Sequence, residues 1–143
     1  MNTQKFLVSG IVGGIIHFLG GYLIYGVVLT DFFAKNAGTA TGVMKAMDAM
    51  VWWALILGSI FWGFMYSYIF NKWASITSFG AGLSGGFVVG LLCSAGFDLM
   101  MFATSNLSNL TATIADIACG AVLGALVGAA VGMMNGMGKK ATT

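Results

Sequence analysis

The chain alternates between four long apolar runs and short polar stretches. The runs extend from about Phe6 to Leu29, Val51 to Phe70, Phe79 to Met101 and Thr113 to Met137. At 1.5 Å of helical rise per residue, each is of the length that crosses a hydrocarbon layer roughly 30 Å thick. The spacing predicts an all-α fold, a four-transmembrane-helix bundle forming a single domain over residues 1–143. The first run follows Lys5 and so has the beginnings of a signal peptide, whose apolar region is about 7–15 residues long. This run is longer and closes with Tyr22, Tyr25 and bulky aliphatic residues, which marks it as a retained span.

Small residues inside the runs keep a helical period. In the fourth run, Gly120, Gly124, Gly128, Gly132 and Gly136 recur every fourth residue; in the third, Gly82, Gly86, Gly90, Ser94 and Asp98 do the same. Positions four apart share a helix face, so each row is a groove without bulky side chains. Such a groove lets another backbone approach closely in lipid. The two rows are symmetric about Leu107. An antiparallel hairpin of helices 3 and 4 with this Gly-x-x-x-Gly seam would set Asp98 opposite Asp116, Ser94 opposite Gly120, Gly90 opposite Gly124 and Gly86 opposite Gly128. The competing use of the rows is contact with a second copy. The first run carries Gly10 and Gly14 on a face with His17 and Gly21, and the second carries Ser59, Gly63 and Ser67.

The polar stretches supply turns and orientation. Asn36–Thr41, beside Gly38 and Gly42, reads as a turn. Met44, Met47 and Met50 follow at spacing three, which predicts a short surface helix. Asn71 and Lys72 read as a tight turn, and the stretch 104–111 is rich in helix-capping residues. Trp52 and Trp53 at one end of the second run, with Tyr66, Tyr68 and Trp73 toward the other, match the aromatic belts of membrane interfaces. With the N-terminus inside, Lys5, Lys72, Lys139 and Lys140 flank the inner face and Lys35 and Lys45 the outer one. The excess of lysine predicts both termini in the cytoplasm.

Composition narrows the class. The 143 residues are 59 % hydrophobic and 7 % charged, with mean hydropathy +0.94. Soluble domains carry about a quarter charged residues, so the chain reads as an integral membrane protein in contact with lipid. Its net charge of +2 gives no footprint for nucleic acid. Proline is absent, so no proline kink is expected. Cys93 and Cys119 lie within apolar runs and read as small hydrophobes.

Ionisable residues inside a span are the natural candidates for chemistry, because their insertion costs a few kcal/mol or more. His17, near the middle of the first run, has three functional readings: proton relay, metal ligand and cofactor ligand. Set against them is a neutral imidazole bonded to a serine or a carbonyl. With one histidine in the chain, bis-histidine haem ligation within one molecule is excluded, and no cofactor is expected. Asp98 and Asp116 are candidates for a proton or cation site, since adjacent carboxylates share a proton or a cation. Their alternative is structural, with Asp116 in the first turns of its helix, where a carboxylate suits the positive end. The methionine row, with Met100 and Met101, raises copper(I), which thioethers suit, but an apolar helix face accounts for it.

No nucleophile–base pair or metal-ligand cluster stands at recognisable spacing, so an enzyme is not expected. Two readings remain. One is a packing module, either a homo-oligomer or an accessory subunit of a larger inner-membrane complex. The other is a small proton or cation transporter or channel using His17, Asp98 and Asp116. The chain lacks the first-span Glu of small multidrug transporters, and the conserved Arg and Thr-Thr-Phe-Ser stretch of fluoride channels. In Gly20-Gly-Tyr-Leu-Ile-Tyr-Gly26, the following Asp31-Phe-Phe, and Phe97-Asp-Leu-Met-Met it resembles a loose family of uncharacterised four-span bacterial membrane proteins. That resemblance covers most of the chain and implies the fold and a bacterial inner-membrane location.

Overall fold

A computed structural model describes residues 2–137; Lys139 and Lys140, used in the orientation argument, lie outside the described residues. The elements are α1 (Thr3–Gly21), running on as a π-helical stretch over Tyr22–Val28; α2 (Thr30–Lys35); a 3-10 turn at Met47–Ala49; α3 (Trp52–Tyr68), running on as π-helix over Ile69–Trp73; α4 (Phe79–Thr104); and α5 (Leu110–Gly136). Four of these rods, Thr3–Val28, Trp52–Trp73, Phe79–Thr104 and Leu110–Gly136, are long and apolar enough to cross a membrane. Together they make an all-α bundle of the kind found in integral membrane proteins.

The rods overrun the apolar runs because their caps lie in the polar flanks. The Asn2 side chain accepts from Lys5 N at 3.1 Å, Ser78 from Ala81 N at 3.3 Å and Asn109 from Ala112 N at 2.9 Å. Each satisfies a backbone N–H that the first helical turn leaves without a partner. Asn71 and Lys72 are therefore not a tight turn. They sit in the π-helical end of the second rod, and the reversal falls at Ala74–Ser78, where Ser75 takes φ 50°. The methionine row is not a helix either: Met44 is in irregular chain, and only Met47 enters the 3-10 turn.

α5 is the central rod. It packs against α4 on one side and α1 on another, and α1 packs against α3. The core is Tyr66, Phe70, Leu123, Val127 and Val131, with Ile16, Ile24, Met65, Ile69, Ile76 and Val89 against it. α4 meets α5 along Gly82, Gly86 and Gly90. A Cβ built on Gly86 would fall 2.8 Å from Gly128 Cα, one on Gly90 3.0 Å from Gly124 Cα, and one on Gly82 3.1 Å from Gly132 Cα. Where α1 crosses α3, a Cβ on Gly14 would lie 2.7 Å from Ile60 Cα, one on Gly10 would run into the Phe64 ring, and one on Gly63 into the Gly14 backbone. At these points the partners meet with no room for a methyl group.

The two ends of the bundle are fastened differently. At the end with Asn2 and Met137, Asn71 Nδ2 donates to Asn135 Oδ1 at 2.9 Å and to Ser67 O at 2.9 Å. Asn135 Nδ2 donates to Ile76 O at 3.3 Å, and the hydroxyls of Ser9 and Ser67 are 2.8 Å apart. Ser9, Ser67 and Asn135 are buried. Lys5 Nζ donates to the carbonyls of Asn135 at 2.9 Å and Met137 at 3.1 Å, placing a cation on the negative end of α5. At the other end the connector after α2 lies along the α4–α5 loop. Gly38 N donates to Leu107 O at 3.0 Å, Ala40 N to Asn106 O at 3.0 Å, and Asn109 N to Asn36 O at 3.1 Å.

Candidate functional site

The half of the bundle nearest this connector is hollow. A cavity of about 640 Å³ lies between the C-terminal part of the first rod, the N-terminal part of α3, the C-terminal part of α4 and the N-terminal part of α5. His17, Asp98, Asp116, Ser94, Gly90, Gly120 and Gly124 all border it. Gly82, Gly86, Gly128 and Gly132 do not; they lie along the tighter stretch of the α4–α5 contact, as Gly10 and Gly14 lie in the α1–α3 crossing. The other half of the bundle is filled by Phe70, Val127 and Val131, none more than 1 % exposed. The cavity is accordingly a blind chamber reaching part of the way through the bundle.

Aromatic side chains form part of the chamber wall, with Phe18, Tyr22, Tyr25, Trp52, Trp62 and Tyr66 contributed by the first rod and α3. His17 stacks on Trp62 with the rings 5° from parallel and their centroids 5.5 Å apart. Its Nδ1 is 3.3 Å from Ser59 Oγ. This gives the imidazole a serine neighbour from α3 while its ring stays at the chamber wall.

Tyr25 donates its hydroxyl hydrogen to Asp116 Oδ1 at 2.5 Å. The Tyr lies in the π-helical stretch of the first rod. Widened turns of this kind re-aim side chains and are frequent at functional sites. Asp98 is held differently: its Oδ2 is buried and accepts no hydrogen bond among the described residues. Asp116 does not cap α5. The helix begins at Leu110 with Asn109 as its cap, and no acidic residue falls in the first turn, so the carboxylate stands well inside the rod, facing the chamber.

Among the described residues no lysine lines the chamber; Lys5 is engaged at the opposite end of the bundle. Among the described residues no group of three or more His, Cys, Asp or Glu is placed to hold a metal ion. Cys93 borders the chamber, and both Cys93 and Cys119 are free thiols. Met44, Met47 and Met50 form the rim where the connector passes over it.

Several residues of the site carry no local signature. Tyr25, Trp52 and Tyr66 read as interfacial aromatics, and Ser59 as part of a small-residue face, until the tertiary fold turns them toward the same space. Compared with protein-family models, curated proteins and solved structures, the chain shows no match.

Proposed function

We propose that this protein is a small membrane transporter that takes a proton or cation into the acidic chamber in one half of its bundle. The observation that carries the reading is the meeting of His17, Asp98 and Asp116, from three different rods, around one cavity. Ionisable groups inside a span are expensive and mark ion or substrate pathways. Two carboxylates with no lysine of the described residues in the chamber lining suit a positively charged guest. The filled half of the bundle favours a carrier, which must rearrange to release its cargo, over an open pore. The protein belongs in a bacterial inner membrane on the residues of its family resemblance, with both termini in the cytoplasm on its lysine distribution, and it needs no catalytic role.

The test is flux in vesicles reconstituted with the full chain. A proton or cation gradient should relax faster than in empty vesicles, and Asp98→Asn should remove the difference while the protein stays monodisperse. Equal flux in the wild-type protein and the Asn variant overturns the reading.

A second reading is a packing module, a homo-oligomer or an accessory subunit in contact with lipid and other membrane subunits. It draws on the close α4–α5 approach at Gly86 and Gly128, a seam that holds a glycine-packed hairpin together. It also draws on the exposed apolar face of α4, with Leu92, Phe97 and Met100 each at least 66 % exposed. Cross-linking in native membranes that returns only the monomer removes it.

A further inference from the structure

The chamber is the wrong size and lining for a bare ion. Pockets that hold small organic ligands measure roughly 300–1,000 Å³ and are mostly apolar with a few placed polar groups; this one measures about 640 Å³. A metal ion or hydronium needs a shell of oxygen or nitrogen ligands, whereas here the donors are few and set into an aromatic wall. Beside the two carboxylates the lining has a few polar groups, His17, Ser59 and Ser94 among them, in surroundings that are otherwise largely apolar or aromatic.

Resting on the reading of the chamber as a cation site, we propose that its cargo is an amphiphilic organic cation: a quaternary ammonium or phosphonium, or a protonated amine, on an apolar body. Three features select that chemistry. Asp98 and Asp116 both border the chamber, and among the described residues Asp116 accepts from Tyr25 and no lysine lines the wall, so no cation of the wall neutralises their charge. Trp52, Trp62, Tyr22 and Tyr66 line the wall, and aromatic rings attract a cation through the ring quadrupole and bury its apolar groups. An anion would meet two carboxylates, and a neutral body would leave their charge uncompensated in an apolar setting, which is costly.

The route of entry follows from the packing. α4 makes its extensive contacts with α5 rather than with α1 or α3, so the side of the chamber between α4, which contributes Phe97, and α3, which contributes Trp52 and Leu55, is not closed by extensive helix packing. Phe97 is 67 % exposed. A guest dissolved in the lipid reaches the carboxylates through this side without first crossing into water.

The experiment uses the purified full chain in lipid nanodiscs and tetraphenylphosphonium as probe, followed by quenching of tryptophan fluorescence. Saturable binding is expected, with triphenylphosphine oxide, its uncharged counterpart, at least tenfold weaker. Asp98→Asn and Asp116→Asn should each weaken phosphonium binding at least tenfold. Asp98→Glu, which keeps the charge, and Asp31→Asn, outside the chamber, should retain it. Helical circular dichroism and a monodisperse elution profile establish that the variants are folded; if an Asn variant fails there, the charged-against-neutral comparison in the wild-type protein decides.

No saturable phosphonium binding, equal binding of the uncharged counterpart, or full binding by the folded Asn variants overturns the proposal. Proton or inorganic cation flux that depends on Asp98, without phosphonium binding, overturns it while leaving the transporter reading standing. Phosphonium binding without any flux upholds the cargo chemistry and removes the transporter reading instead.

Discussion

At the scale of single residues, what matters is which atoms a side chain would meet. A methyl group added at Gly86 meets backbone, the Gly124 carbonyl and Gly128 Cα, and neither can turn aside. One added at Gly20 meets only the Leu123 side chain, which has other rotamers. One added at Gly96 meets nothing within 4 Å. The expected order of destabilisation is therefore Gly86→Ala, then Gly20→Ala, then Gly96→Ala with no measurable effect. Gly86→Ala should cost about 1–3 kcal/mol, the usual range for overpacking a tight contact. Thermal unfolding in detergent, followed by size-exclusion chromatography, ranks the three; equal midpoints for Gly86→Ala and Gly96→Ala would show that helix separation at the seam is free. Tyr25→Phe isolates a second local effect. It removes the hydrogen bond that Tyr25 donates to Asp116, and a bond to a carboxylate is worth about 1.5–3 kcal/mol. The variant should unfold earlier than wild type, and Asp116→Asn should narrow that gap because the acceptor it leaves carries no charge. A double-mutant cycle of the two substitutions measures the coupling, and additive effects would mean that the bond contributes nothing.

At the scale of elements, the cluster around Asn135 ties the end of α5 to the π-helical end of the second rod and to the turn that follows. Asn135 both accepts from Asn71 and donates to Ile76 O while 1 % exposed. Replacing it with Ala leaves both partners facing each other across a void. A buried polar group stripped of its partner costs about 1–3 kcal/mol, so Asn135→Ala should lower the unfolding midpoint clearly. Asn106→Ala, whose side chain is exposed at the other end, should not; equal midpoints would show that water replaces the lost bonds. This cluster also marks the limit of what the sequence discloses. The four rods are legible because each is a long uninterrupted apolar run, and their chain order fixes an up-and-down bundle. The rod ends are less so, since Asn2, Ser78 and Asn109 cap from within polar stretches that offer several equivalent capping residues. The π-helical turns at Tyr22–Val28 and Ile69–Trp73 have no proline to announce them, and Asn71 and Lys72 in the second read as a turn. Ser9, Ser67, Asn71 and Asn135 are scattered over three rods, so their meeting is a property of the fold alone. His17, Asp98 and Asp116 stand out as candidates because charge within an apolar run is conspicuous. Tyr25, Trp62 and Tyr66 do not, because aromatic residues are ordinary there.

At the scale of the whole molecule, the asymmetry between the two halves becomes a question of which side of the membrane each faces. The filled half ends at Lys5 and Lys72, the hollow half at the connector carrying Lys35 and Lys45 and at the loop between α4 and α5. The proposed orientation, drawn from the lysine count along the sequence, would make the filled half cytoplasmic. In that orientation the chamber would lie in the outer half of the bilayer, and a cation carrier built this way would exchange its cargo with the outer leaflet. Single cysteines at Lys72 and Asn106, both exposed, report on this directly in a background without Cys93 and Cys119. In intact cells a membrane-impermeant maleimide should label Asn106→Cys. It should reach Lys72→Cys only after permeabilisation. The reverse pattern would invert the molecule and open the chamber toward the cytoplasm; labelling of both sites in intact cells would show that the chain inserts in two orientations. In that case the small lysine bias, four residues against two, is too weak to orient the bundle, and each orientation would present its chamber to a different leaflet. The labelling therefore decides the direction in which the carboxylates Asp98 and Asp116 meet their cargo, independently of what that cargo is.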